Sequence, residues 1–181
     1  MNKKNDFQVA VFGSGCFWCA EAIFSQLKGI ESVTSGYAGG NKPNPTYQQV
    51  CTDTTGHAEV VRIVFDPTII TYADLLEIFW QMHDPTTPNR QGNDVGSQYR
   101  SIILYVDQDQ KIIAQKMLTE LEEQKVFESA IVTEIQPLRE FYPAEEYHKE
   151  YYFQNKMQPY CQFVILPKLE KFKKIFKEKL A

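Results

Sequence analysis

Long apolar runs are missing from this 181-residue chain. Nothing in it approaches the ~18 uninterrupted apolar residues that a membrane span needs, so no membrane partner is expected. Charge of one sign is missing too. Nineteen Lys and Arg stand against twenty-three Asp and Glu, a net charge of −4. Nucleic-acid binders normally carry a basic footprint, so that class is set aside. Internal repeats, low-complexity tracts and interdomain linkers are likewise absent. Cysteine is scarce, at four residues: Cys16, Cys19, Cys51 and Cys161. Residues 1–6 are polar, and the apolar run that starts at Phe7 breaks at Gly13. No signal-peptide core is read there, and a cytoplasmic location is expected. In that compartment so few cysteines do not make a disulfide scaffold, which leaves burial, metal binding or catalysis.

What is present is ordinary globular composition, 43% hydrophobic and 23% charged. The length predicts one domain over 1–181, with a core about 7–167 and a basic amphipathic helix at 168–181. That last stretch holds six Lys and two Glu, the pattern of a solvated helix face.

Strands are expected at 7–12, 30–37, 58–65, 101–106 and 131–136. Helices are expected from Phe17 to Lys28, from a capping box at Thr71 and Asp74, from Asp107 to about Lys125, near 144–154, and over about 168–180 with Leu169, Phe172, Ile175 and Phe176 inward. Two long irregular stretches, 39–56 and 84–98, interrupt them; loops of that length are uncommon in compact domains and often functional. The order β-α-β-β-α-β matches a split βαβ arrangement. The expected fold is therefore α/β (α+β): a ferredoxin-like α/β plait, helices packed on a mixed sheet, with an irregular C-terminal wrap.

The segment Gly13-Ser14-Gly15-Cys16-Phe17-Trp18-Cys19-Ala20-Glu21 lies between a strand and a helix. Free N–H groups and the positive helix end favour an anion there, which predicts a lowered Cys16 pKa and a reactive thiolate. Gly13 and Gly15 are expected to let another molecule approach the backbone. Cys16-x-x-Cys19 admits a dithiol–disulfide oxidoreductase. It also admits half a zinc site, but Cys51, Cys161, His57, His83 and His148 show no paired ligand spacing, so no metal is assigned. The three histidines are read as structural.

Gly15-Cys16-Phe17-Trp18 resembles the signature of the A-type peptide methionine sulfoxide reductases. Further blocks resemble the family in order: Gly36-Tyr37-Ala38-Gly39-Gly40, Asn44-Pro45-Thr46-Tyr47, Thr55-Gly56-His57-Ala58-Glu59-Val60, Phe65-Asp66-Pro67, Gly92-Asn93-Asp94-Val95-Gly96-Ser97-Gln98-Tyr99-Arg100-Ser101 and Tyr142-Pro143-Ala144-Glu145-Glu146-Tyr147-His148. The resemblance covers roughly residues 7–167. It implies an oxidoreductase that returns methionine-S-sulfoxide, protein-bound or free, to methionine.

By that resemblance Cys16 attacks the sulfoxide sulfur and becomes a sulfenic acid. Glu59 supplies the proton, which requires a pKa raised by burial. Tyr47, Asp94 and Tyr99 form a polar ring around the oxygen, and Phe17 and Trp18 hold the methyl group. Cys161 is the expected resolving thiol, with Cys19 the alternative; Cys51 is read as a bystander. The implied reductant is an external dithiol, thioredoxin above all, with no cofactor. A monomer is expected. The alternative function, a dithiol–disulfide oxidoreductase using Cys16 and Cys19, stays open on the residues alone.

Overall fold

The computed structural model of the chain describes residues 6–181, so the polar start read at 1–5 lies outside the described residues. In chain order the elements are β1 (Gln8–Ser14), α1 (Phe17–Phe24), β2 (Ile30–Ala38), α2 (Tyr47–Val50), β3 (Ala58–Phe65), α3 (Tyr72–Met82), the two-residue strands β4 (Arg90–Gln91) and β5 (Asp94–Val95), β6 (Ser101–Tyr105), α4 (Gln108–Glu123), β7 (Glu134–Pro137), β8 (Phe141–Pro143), α5 (Tyr151–Gln154) and α6 (Leu166–Ile175).

Six strands form one sheet in the order β7-β6-β1-β3-β2-β8. Within the inner four, β6-β1-β3-β2, every adjacent pair is antiparallel, as a split βαβ plait requires. The parallel β6–β7 pair makes the sheet mixed. β4 and β5 form a separate small hairpin.

Alternation along the strands explains which face each residue covers. Ala10, Phe12, Val61, Ile63, Phe65 and Ile103 pack into the main core with the helices. Val11, Val60, Ile102 and Leu104 point to the other face, which Leu138 and Phe141 partly cover. Against the main face, α1 is buried on nearly every side. A helix this apolar, with Glu21 its one charged residue, belongs in an interior, and α1 lies between the sheet and the C-terminal segments.

The capping box that opens α3 is present. The Thr71 hydroxyl accepts the Asp74 N–H at 3.1 Å, and Asp74 accepts the Thr71 N–H at 2.9 Å. Asp107 opens α4 by accepting the Gln110 N–H.

Four boundaries differ from expectation. α1 stops at Phe24, about one turn short of the expected end at Lys28. A second capping box, Thr46 with Gln49, closes the one-turn α2 inside a stretch read as loop. The helix expected near 144–154 is broken, because Glu150 takes a left-handed conformation (φ 49°) that cannot continue a right-handed helix. The terminal helix begins as a π-helical turn at Cys161–Ile165 and ends at Ile175. Leu169, Phe172 and Phe176 face inward, but Ile175 is 47% exposed. It sits one residue off their 3.6-residue stripe.

Candidate active site

Cys16 is the N-cap residue of α1, where β1 ends. Gly15 just before it has φ +98°, and a Cβ there would lie 2.7 Å from Cγ of Gln91. A Cβ on Gly13 would lie 2.8 Å from the Ile102 side chain. At both positions the chain's own side chains already fill the space that a Cβ would need.

Glu59 pairs with Tyr37 across β2–β3 and sits on the β3 face that carries Val61 and Ile63, beneath the start of α1. It is 2% exposed, and its Oε2 accepts the Phe17 N–H at 3.1 Å. Burial pushes its carboxyl up to about 8, the Asp94 charge adds to the rise, and the Phe17 N–H opposes it. A protonated carboxyl beside the nucleophile is therefore the resting state at neutral pH.

The expected lowering of the Cys16 pKa does not occur. Burial raises the thiol well above its usual range, and the charges of Glu59 and Cys19 raise it further. The Trp18 N–H and the Tyr160 hydroxyl oppose this only in part. The physical reason is local: the first N–H of α1, that of Phe17, is committed to Glu59, and the surroundings exclude water.

Tyr160 was not singled out in the sequence. Its hydroxyl donates to Asp94 at 2.6 Å and lies within hydrogen-bonding reach of both Cys16 and Cys19. Its only signal in the sequence is adjacency to Cys161. Burial raises the Tyr99 phenol, and the charges of Glu59, Cys16 and Asp94 nearby raise it further. Tyr47, half-buried, feels Glu59 and Tyr99 and reaches the Cys51 thiol. The structure thus brings Cys16, Glu59, Asp94, Tyr47 and Tyr99 to one place from four separate segments.

Phe17 and Trp18 form an aromatic wall. Phe17 is buried between Tyr37 and His148, with centroids 5.8 and 5.0 Å away. Trp18 is half-buried and lies flat on Tyr151, 3.7 Å away at 7°. Its Nε1 donates to Nδ1 of His148 at 3.1 Å. A nitrogen that accepts cannot carry the proton, so the neutral ring is protonated on Nε2. That Nε2 is buried and has no partner among the described residues. His148, read as structural from the sequence, therefore stands in the wall of the site. Glu145 anchors this segment by accepting from the Tyr37 hydroxyl and the Tyr47 N–H, each at 3.0 Å.

His57 and His83 lie outside this cluster. His57 binds the 40–42 loop through the Gly40 N–H and the Lys42 carbonyl. All four cysteines are free thiols. Cys161, fully buried, lies close enough to Cys19 to raise its pKa, which reaches about 11 mainly through burial. Cys51 is exposed at the end of α2. Among the described residues no group of three or more His, Cys, Asp or Glu is placed to hold a metal ion, and no helix is long and apolar enough to cross a membrane. A cleft of about 1000 Å³ between α3, α4 and α6 does not include Cys16.

A family model described as peptide methionine sulfoxide reductase matches residues 8–180. The chain belongs to that family. It is 59% identical to the peptide methionine sulfoxide reductase MsrA of Sulfolobus acidocaldarius, covering 96% of this chain and 98% of that one. It is 56% identical to the MsrA of Saccharolobus solfataricus, covering 96% and 97%. Methionine sulfoxide reductase A of Corynebacterium diphtheriae has a similar structure, with TM-score 0.77 at 35% identity over 90% of this chain and 81% of that chain. The plait expected for a methionine sulfoxide reductase is the fold observed here.

Proposed function

We propose that this chain reduces methionine-S-sulfoxide, protein-bound or free, by a thiol mechanism centred on Cys16. The observation that carries the reading is the buried Cys16–Glu59 pair, with the carboxyl held protonated at neutral pH beside the nucleophile.

The Cys16 thiolate attacks the sulfoxide sulfur while Glu59 gives its proton to the oxygen. The S–O bond breaks, the hydroxyl passes to Cys16 as a sulfenic acid, and the thioether leaves. Cys16 is oxidised by two electrons and the methionine sulfur is reduced by two. Tyr99 and Tyr47 donate toward the oxygen, and Asp94 orients Tyr160 beside the reacting sulfur. The Phe17–Trp18 wall takes the methyl group on the opposite side. Methyl on one face and donors on the other read chirality at sulfur, and the likeness to the A-type reductases supports the S epimer.

A second thiol then displaces hydroxide, released as water, to give a disulfide. Cys19, on the first turn of α1, is the thiol beside Cys16; Cys161 is the thiol beside Cys19. We place them in that order, Cys19 first and Cys161 second, with an external dithiol such as thioredoxin reducing the final disulfide by exchange. No resident cofactor takes part. The dithiol–disulfide oxidoreductase reading gains nothing from the site, because such an enzyme needs neither a buried acid nor an aromatic methyl wall.

The test is turnover of methionine-S-sulfoxide and methionine-R-sulfoxide peptides with dithiothreitol as reductant. Wild type reduces the S epimer, and Cys16→Ser reduces neither. Undiminished turnover in Cys16→Ser overturns the reading.

A further inference from the structure

Glu21 is a buried carboxyl that the reaction above does not use. It is 3% exposed, in the middle of α1, about one turn beyond Trp18. Burial dominates and takes it up to about 7, against the N–H groups of Glu150 and Tyr151 and a weaker pull from Lys149. Such a group persists in an interior only if something specific holds it.

What holds it is the backbone of the segment that lines the site. Oε1 of Glu21 accepts the Glu150 N–H at 3.1 Å, and the Tyr151 N–H also stabilises its charge. These are the first N–H groups of α5, whose own N-cap residue, Glu150, gives no side-chain cap. Glu21 therefore caps α5 from another element. It also holds Glu150 in its left-handed conformation (φ 49°, ψ 32°), a strained one for a residue with a side chain.

Trp18 and Glu21 stand three residues apart on α1 and so share a face. Trp18 grips His148 by a hydrogen bond and Tyr151 by stacking; Glu21 grips Glu150 between them. One helix thus fixes three points of four consecutive residues.

We propose that Glu21 is a positioning residue for substrate binding: its bonds to the Glu150 and Tyr151 N–H groups hold Tyr151 flat against Trp18 and so set the shape of the methyl-binding wall. The proposal rests on the reading of Phe17 and Trp18 as that wall. It acts through Tyr151, not on the reacting atoms.

The test compares Glu21→Ala, which removes both acceptors, with Glu21→Gln, which keeps a carbonyl acceptor. Glu21→Ala is expected to raise KM for a methionine-S-sulfoxide peptide about tenfold with kcat within about twofold. It should also increase acrylamide quenching of tryptophan emission as Trp18 loses its cover, since Trp80 is buried. Glu21→Gln should restore both readouts to within about twofold of wild type. Tyr151→Ala should mimic Glu21→Ala, and the double variant should be no worse than either single one. If the alanine variant does not fold, Glu21→Met carries the test with volume kept and acceptors removed. Unchanged KM and quenching in folded Glu21→Ala or Glu21→Met overturns the proposal. So does a kcat loss shared equally by Gln and Ala, which would mean the charge itself acts in the reaction. Quenching needs no turnover, so a failure of the Trp18 wall reading shows as changed quenching with unchanged KM, and is distinct from a failure of the clamp.

Discussion

Cys16 and Glu59 titrate against each other. Each is buried, and ionising either opposes ionising the other, so protons leave the pair in shared steps. At neutral pH both groups keep their protons. As pH passes about 8 the pair loses one, and the useful monoanion has the charge on sulfur and the proton on the carboxyl. Reduction is therefore expected to rise toward that pH and to fall once the second proton is lost, because no acid remains for the oxygen. Glu59→Gln separates the two effects. Without the neighbouring charge, Cys16 ionises at lower pH, so the midpoint of its alkylation by iodoacetamide moves down. Without the acid, sulfoxide reduction falls by about 10²–10⁴-fold. An alkylation midpoint that stays in place would contradict the coupling. The sequence makes half of this legible. Glu59 begins an apolar strand, which admits a buried acid but also a solvent-facing one, and only the family resemblance points to the buried acid. The Cys16 shift does not follow, because the N–H that looks free for the thiol is taken by a carboxyl 42 residues away.

Elements with local causes were readable in the sequence, and those with distant causes were not. Thr71 with Asp74 and the Ala58–Phe65 strand carry their signals within a few residues, and both appear as expected. The break at Glu150 has no local signal, because the carboxyl that holds it comes from α1. His83, at the end of α3, shows how such distant contacts set stability. Its Nδ1 donates to the Phe79 carbonyl at 2.7 Å, so its Nε2 must accept from the Ser101 hydroxyl, which in turn meets Thr133 at 2.7 Å. Protonating Nε2 would turn it into a donor and force the Ser101 hydroxyl to turn its own proton toward Thr133, while placing a charge in a buried site. Burial, helped by the Lys168 charge and opposed by the Phe79 carbonyl and Asp84, lowers the imidazole from 6.5 to about 4. Between those values the unfolded chain binds more protons than the folded one, so stability falls as pH drops from 6.5 to 4. The loss is on the order of 3 kcal/mol. Urea unfolding at pH 7 and pH 4 should show it in the wild type and show much less in His83→Gln. Equal losses in both would assign the acid limb to other groups.

The whole molecule is a plait with a strap. The sheet and α1 place Cys16, Cys19 and Glu59, and the segment from Glu145 to Ile165 closes over them with His148, Tyr151, Tyr160 and Cys161. In this arrangement Tyr160, not Cys161, acts on the Cys16 thiol, and Cys161 acts on Cys19 within the same buried core. A direct Cys16–Cys161 bond requires Tyr160 to leave Asp94, whereas Cys16–Cys19 joins residues at the two ends of one helical turn, the spacing of redox dithiols. One equivalent of methionine-S-sulfoxide, added without reductant, should therefore leave wild type with a Cys19–Cys161 disulfide and a free Cys16 thiol, mapped by peptide mass spectrometry. Cys161→Ser should stop at Cys16–Cys19. Cys19→Ser should leave a Cys16 sulfenic acid that dimedone traps. Because Cys161 is fully buried, closing the second bond should also loosen the π-helical turn at Cys161–Ile165. Amide exchange across that turn should then quicken in the oxidised wild type but not in Cys161→Ser. A Cys16–Cys161 disulfide that forms at the wild-type rate in Cys19→Ser would reverse the order and make Cys19 the spectator.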